Sequence, residues 1–247
     1  MKRIPRIYLN QDIYIEKKII LKKDKKNYLK KVMRMKVRDK VYIFNNTNFL
    51  FFSEIIELNH KKIILNVLKK KKKNYESPLK IHLGQSISKK KSMSWIIQKS
   101  SELGVKSITP VICEKSSIKY LKNKEIQQIK KWKKISISAS EQCQRNSITK
   151  IFKPIKLKKW ILSLEESIKI ILTPKKKNLV QNSLPKKIKE LYILIGSETG
   201  FSKKEIKFCI KKNFFHIDFG RRILRTETAS LTAISILQYK YGDLKLF

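Results

Sequence analysis

The sequence predicts an α/β protein in two parts, a small β-barrel in front and an α/β domain with a mostly parallel sheet behind. Three observations carry this. Short strand-like runs crowd the first 73 residues; a lysine-rich stretch, "KKKKKNYESP" from Lys69 to Pro78, follows them; and from Pro78 onward strands and helices alternate. The division expected is residues 1–73 and residues 74–247.

In the first part, "KVYIF" (40–44) alternates with the period of a strand and "NNTN" (45–48) is turn material; "FLFFSEIIEL" and "KKIILNVL" follow at close spacing. The lysine stretch with its Ser-Pro reads as a linker or a solvated turn. "LKIHLG" then opens the second part as a strand. In "SKKKSMSWIIQKSSELG", Met93, Ile96, Ile97 and Leu103 fall near one helical face and Gly104 ends the helix. "SITPVIC" is a strand, and "NKEIQQIKKWKKISISASEQC" is a helix with Asn123 as cap and Ile126, Ile129 and Trp132 as its stripe. "IKIIL" and "LYILI" are short unbroken apolar runs, as in strands buried on both faces. Ser202 and Glu205 form a capping-box pattern at the next helix. "FFHIDF" is the last strand, and the run from Thr228 to Tyr239, which holds no charge, is the last helix.

The 247 residues are 41% hydrophobic, a foldable composition, and carry a formal net charge of +40. Two readings of that charge stand side by side. One is a polyanionic partner, most simply nucleic acid. The other is coding bias, since lysine, isoleucine and asparagine are all in excess. Cys113, Cys143 and Cys209 are too scattered for a disulfide framework, and with His60, His82 and His216 they make no metal-ligand spacing. The start lacks the apolar core of a signal peptide, and no stretch approaches the ~20 apolar residues of a membrane helix. The expectation is a soluble, reduced, cytoplasmic protein without metal.

Two strand-to-helix turns draw attention: "LYILI-GSETG-F" (191–201) and "FFHIDF-GRRILRTET" (214–228). Ligands of parallel sheets bind beyond the carboxyl ends of the strands, and glycine there lets backbone approach a ligand closely. Turn-making alone also accounts for Gly196, Gly200 and Gly220. A helix without charge on any side is buried on most sides, in the core or in a subunit interface. Arg225, Thr226, Glu227 and Thr228 would then stand at a rigid, low-dielectric edge suited to holding a ligand, with Thr226 or Thr228 also able to cap the helix. No nucleophile or P-loop signature occurs, and "GSETG" is not the dinucleotide-binding G-x-G-x-x-G.

At these residues the chain resembles the bacterial ribosomal RNA small subunit methyltransferase E family, the 16S rRNA uridine-N3 enzymes of the SPOUT class. "RIPRIYLN", "SPLKIHLGQSISK", "IQKSSELGVKSITPV", "SEQCQRNSI", "LYILIGSETGFSKKEI" and "RILRTETASLTAISILQYKYGDL" carry the likeness in order. The resemblance implies a PUA-like β-barrel that binds RNA, a C-terminal SPOUT-type α/β domain with a trefoil knot, a homodimer, and S-adenosylmethionine as cofactor. Carried over by position, it implies a cofactor pocket of Leu172, Thr173 and Pro174 after one strand. To these it adds Ile195, Gly196, Glu198 and Gly200 in the first loop, and Phe219, Gly220, Ile223, Leu224, Arg225 and Thr226 in the second. The family pattern has Gly-Pro-Glu-Gly-Gly where this chain has "GSETG", and Leu-Gly-Pro-Arg where it has "FGRR", so Ser197, Thr199 and Arg221 depart from it. Thr199 matters most if its position needs positive φ.

The implied reaction is methyl transfer to N3 of a uridine in the 16S rRNA of the 30S subunit. The weakly acidic N3 proton must leave, so the site needs a base or a means of stabilising the uridinate. Arg225 would stabilise the anion or hold a phosphate; Glu198 or Glu227 would take the proton or orient the loop. The departures at Ser197 and Thr199 motivate a second reading, a non-catalytic rRNA-binding or ribosome-assembly protein that keeps the fold. The two readings of the charge are separable in solution. If lysines and arginines neutralise phosphates, RNA affinity falls at least ~10-fold between about 50 and 200 mM salt, measured by filter binding or anisotropy. A flat profile assigns the charge to composition.

Overall fold

The computed structural model describes residues 4–116, 125–173, 184–218 and 220–245. It divides into two compact units: Met1–Glu76 with Ser140–Ile148, and Ser77–Ala139 with Thr149–Phe247. Relative to a single cut after residue 73, the segment 140–148 returns to the first unit.

The first unit is a five-stranded sheet in the order β1-β3-β4-β5-β2, from β1 (Arg6–Tyr8), β2 (Lys18–Leu21), β3 (Lys40–Phe44), β4 (Phe49–Leu58) and β5 (Ile63–Lys72). All neighbours are antiparallel except β1 and β3. Among the described residues no pairing joins the edge strands β1 and β2, so the barrel expected from strand spacing is an open ladder here. A short helix α1 (Lys23–Asn27) and a π-turn (Tyr28–Val32) follow β2 and bury Leu29; sequence periodicity gave no sign of them. The lysine stretch is corrected at its start. Lys69–Lys72 are not linker but the end of β5, paired with Phe49–Phe52 of β4. Backbone pairing is indifferent to the exposed ammonium groups, and β4 needs a partner along its full length.

The segment 140–148 fills one side of this unit with polar contacts. Arg6, buried at 8% exposure, donates through Nη2 to the carbonyls of Gln144 (2.9 Å) and Arg145 (3.1 Å) and to Asn146 Oδ1 (2.8 Å). Arg145 grips Glu76 with two bonds, 2.9 and 2.6 Å long, in the fork geometry that favours arginine over lysine. Asn146 Nδ2 donates to Lys73 O at 2.5 Å, and the Tyr8 N–H donates to Glu141 Oε1 at 2.9 Å. Burial pushes the Glu141 carboxyl above its ordinary range and the Arg6 guanidinium below its own.

The second unit is built on a seven-stranded sheet in which every pairing is parallel. Its strands are β6 (Lys80–Ser86), β7 (Ser107–Ile112), β8 (Lys150–Ile151), β9 (Ile155–Lys156), β10 (Ile168–Leu172), β11 (Glu190–Ile195) and β12 (Phe215–Ile217), and its main path runs β12-β10-β11-β6-β7-β8. The helices are α2 (Lys90–Glu102), α3 (Glu125–Cys143), α4 (Leu157–Leu162), α5 (Lys203–Lys211) and α6 (Thr226–Tyr241). Met93, Ile96 and Ile97 of α2 are buried as their spacing requires, and Gly104 takes φ +83° just beyond the helix. Asn123, expected to cap α3, lies outside the described residues. Ile81, Leu83, Ile193 and Ile195 form the centre of one core with α2 and α6; Leu194, Trp160, Phe201 and Cys209 lie in a second.

α6 meets its own chain on one side. It is buried on one face only, at Thr226, Ala229, Ser230, Ala233, Ile234, Leu237 and Gln238. It packs against α2 and β11, and its other face carries Ile236 and Tyr239, 43% and 55% exposed. An uncharged helix is therefore not a fully covered one within this chain.

Gly84 shows how tightly the β6 region packs. A Cβ built there would lie 2.3 Å from the Trp160 ring, so the flat indole fits only against bare backbone. Gly84→Ala is expected to destabilise the protein by about 1–3 kcal/mol, since a methyl forced into a filled core displaces its neighbours. A lowered melting temperature in calorimetry checks this.

Candidate functional site

Parallel register sets the carboxyl ends of four strands in one row. Ile217 of β12 lies beside Leu172 of β10, Leu172 beside Ile195 of β11, and Ile195 beside Gln85 of β6. Loops leaving such a row start from a common edge, where ligands of parallel sheets bind. Leu172, Thr173, Ile195 and Gly196 are thus brought together by the sheet itself. The Thr173 N–H donates to Ile217 O at 3.2 Å. Pro174 and Phe219 lie outside the described residues.

The first loop is compact because of its glycines. A Cβ on Gly196 would lie 3.1 Å from Gly200 Cα, and Gly200 itself sits at φ +67°. Positive φ therefore falls on Gly200 and not on Thr199. Thr199 and Ser197, the departures from the family pattern, are accommodated: both hydroxyls donate to the Lys115 carbonyl, Ser197 at 3.2 Å. The capping box forms as expected, with Ser202 Oγ accepting from the Glu205 N–H at 3.1 Å and Glu205 Oε2 from the Ser202 N–H at 2.8 Å. Glu205 Oε1 also accepts from the Glu114 N–H at 2.8 Å, so one carboxylate holds the start of α5 and the turn after β7. Glu198 is exposed, and its Oε1 accepts from the Lys89 N–H at 3.3 Å.

The second loop turns at Gly220, φ +80°, and presents Arg221, Arg222, Arg225 and Ile223 outward, Ile223 at 95% exposure; Leu224 packs against the core. Helix α6 is not capped by Thr226 or Thr228. Arg225 occupies the cap position without a side-chain bond, and Thr226 is the first helical residue. The reason is that Thr226 points inward, 4% exposed, and donates its hydroxyl to Gly196 O at 2.6 Å. That bond joins the two loops. The Arg225 side chain makes no hydrogen bond or ion pair among the described residues, so a brace to Glu198 or Glu227 is absent there.

Beneath the junction lies Gln85, fully buried, which sequence reading did not single out. Its Nε2 lies 3.1 Å from Ser86 O, 3.3 Å from Gly196 O and 3.1 Å from Thr226 Oγ1, and its Oε1 accepts from Ser230 Oγ at 2.8 Å. The available signal was a lone amide at the end of an apolar strand, since buried polar groups are rare and partnered.

The two loop glycines stand in open space. At Gly200 and Gly220 a Cβ would meet nothing within 4 Å. His216 Nε2, beside the strand ends, is buried without a hydrogen-bond partner among the described residues, while Nδ1 lies 3.5 Å from Thr173 Oγ1. Burial holds the His216 pKa below its ordinary value, which favours the neutral ring. Burial pushes the Cys113 and Cys209 thiols up to about 12, so neither is a ready nucleophile. Among the described residues no group of three or more His, Cys, Asp or Glu is placed to hold a metal ion, and no helix is long and apolar enough to cross a membrane.

Comparison with known proteins matches residues 75–238 to the RNA methyltransferase domain and residues 21–68 to the RNA methyltransferase PUA domain. A ribosomal RNA small subunit methyltransferase E of Buchnera aphidicola subsp. Schizaphis graminum is 49% identical, over 98% of this chain and 99% of its own. The Bacillus subtilis protein of that name is 26% identical over 87% of each chain. A Legionella pneumophila structure described as a methyltransferase in complex with the bound cofactor SAM has a TM-score of 0.93 at 36% identity, covering 98% of this chain and 100% of that one. The methyltransferase E of Neisseria gonorrhoeae bound to S-adenosyl methionine has a TM-score of 0.87 at 27% identity, with the same coverage.

Proposed function

The chain belongs to the ribosomal RNA small subunit methyltransferase E family, and on that premise we propose that it methylates N3 of a uridine in 16S rRNA, with S-adenosylmethionine as methyl donor. It is an rRNA methyltransferase with a PUA domain in front of its methyltransferase domain. The observation that carries the cofactor reading is the junction of two glycine-turned loops at aligned parallel strand ends, closed by the Thr226–Gly196 bond.

In this reading Leu172, Thr173, Pro174, Ile195, Gly196 and Gly200 hold the cofactor from one side, and Phe219, Gly220, Ile223, Leu224 and Thr226 from the other. Bound there, S-adenosylmethionine supplies an electrophilic methyl group. The chain supplies the rest. Arg225, exposed at the mouth of α6, faces the RNA and stabilises the uridinate charge. Glu198, exposed in the first loop, is the proposed proton acceptor. The first domain and the lysines hold the rRNA backbone, with the 30S subunit as the substrate and the cytoplasm as the site of work.

A trefoil knot is supported by the path of the chain. β12 pairs beyond β10, yet α6 doubles back to β11 and reaches Gln85 on β6. A homodimer through the second domain is supported by α6, whose outward face is uncharged from Thr228 to Tyr239 and exposes Ile236 and Tyr239. Sedimentation equilibrium at micromolar protein and moderate salt should give a dimer, and a folded monomer under those conditions rejects it.

The direct test of function is transfer of tritium from labelled S-adenosylmethionine to 16S rRNA in 30S subunits, with the product nucleoside identified by mass. Arg225→Ala is expected to lower single-turnover methylation by roughly 10²-fold or more, because an ionic contact to a developing anion is lost. Its melting temperature should stay near wild type, since the Arg225 side chain has no bonded partner among the described residues. Normal turnover in this variant removes Arg225 from the chemistry.

A further inference from the structure

We propose that Gln85 is a positioning residue for methyl transfer: its buried carboxamide sets the spacing of the two cofactor-end loops and, through Thr226, the aim of Arg225. The inference rests on the function proposed above.

A side-chain amide is costly at a fully buried strand position where leucine or methionine would fit, unless every polar atom is used. Here the orientation of the amide is dictated by its partners. Ser86 O and Gly196 O only accept, so the nitrogen must face them; the Ser230 hydroxyl supplies the proton for Oε1. Thr226 Oγ1 spends its single proton on Gly196 O at 2.6 Å and is left as an acceptor, which Gln85 Nε2 meets at 3.1 Å. Gln85, Thr226 and Gly196 thus close a triangle. Its corners belong to β6, to the first residue of α6 and to the start of the first loop.

Two amide hydrogens serve three oxygens in this arrangement, so a shift of either loop redistributes the bonds. Ser230 adds a hold on the same helix: its one hydroxyl proton is shared between Gln85 Oε1 and Thr226 O, each 2.8 Å away. The first turn of α6 is thereby fixed at residues 226 and 230. Arg225 precedes it at the cap position, without a side-chain cap bond, so its backbone goes where Thr226 goes. Gln85 thereby sets the backbone from which Arg225 projects, acting through Thr226.

The test is a double-mutant cycle in the full-length protein. Gln85→Met keeps the volume and removes donor and acceptor; Thr226→Val removes the hydroxyl; Thr226→Ser keeps it. Each is assayed for S-adenosylmethionine affinity by calorimetry, for single-turnover methylation of 30S subunits at saturating cofactor, and for melting temperature. Gln85→Met is expected to lower affinity or rate by about tenfold, the size of one buried hydrogen bond. The double variant with Thr226→Val should lose little more than the worse single variant, because both break the same triangle. Thr226→Ser should recover most of what Thr226→Val loses. Wild-type affinity and rate in Gln85→Met, whatever its melting temperature, overturn the proposal, as do losses that multiply in the double variant. If the wild-type chain transfers no methyl group to 30S subunits, the proposed function fails. The role of Gln85 is then decided on cofactor affinity alone, where an unchanged value overturns it.

Discussion

The hydroxyl of Thr226 donating to the carbonyl of Gly196 is the contact on which the second unit depends for its working end. The sheet can align strand ends by register alone, but it cannot bring two separate loops to one place. That takes a bond between them, and this one is part-buried, with Thr226 itself 4% exposed, so leaving it unmade is expensive. The glycine at the acceptor is needed for close packing against Gly200; the threonine at the donor is free to point inward because it begins the helix and does not cap it. Everything outward of this contact, including the exposed arginines, is carried by it.

The elements that were legible in the sequence are those governed by one local rule. The apolar runs at 168–172 and 190–195 became strands, the Met93–Ile97 stripe became a buried helix face, and the box of Ser202 and Glu205 closed as its spacing requires. What escaped is set by partners distant in the chain. Gln85 finds Gly196, Thr226 and Ser230 more than a hundred residues away, and no local pattern announces that. Lys69–Lys72 look like solvent-loving linker because charge describes side chains, whereas the strand is made by backbone. For a related reason the uncharged run of α6 names no partner: absence of charge says that a face tolerates burial, and leaves open what covers it. Of the candidate site residues, the strand-end set came together by topology. The outward set, Ile223 and Arg225 above all, is exposed and has no partner among the described residues to announce it.

Ser197 and Thr199 illustrate how a loop absorbs substitution. The family pattern places proline and glycine there, one restricting the backbone and the other freeing it. This chain holds the same loop with two hydroxyls on the Lys115 carbonyl and keeps positive φ at Gly200 alone. Rigidity supplied by a ring is replaced by rigidity supplied by hydrogen bonds to a neighbouring turn, which Glu205 in turn anchors through Glu114.

The return of residues 140–148 to the first unit has a consequence for the order in which the protein can be made. Arg6 precedes its acceptors at Gln144, Arg145 and Asn146 by 138 to 140 positions. Until they are synthesised, a guanidinium destined for burial has no carbonyls to meet, and Glu76 waits for Arg145 in the same way. The amino-terminal unit is thus not finished when its own five strands have been made. It is sealed only once residues 140–148 have followed the stretch Ser77–Ala139 of the α/β unit that interrupts it.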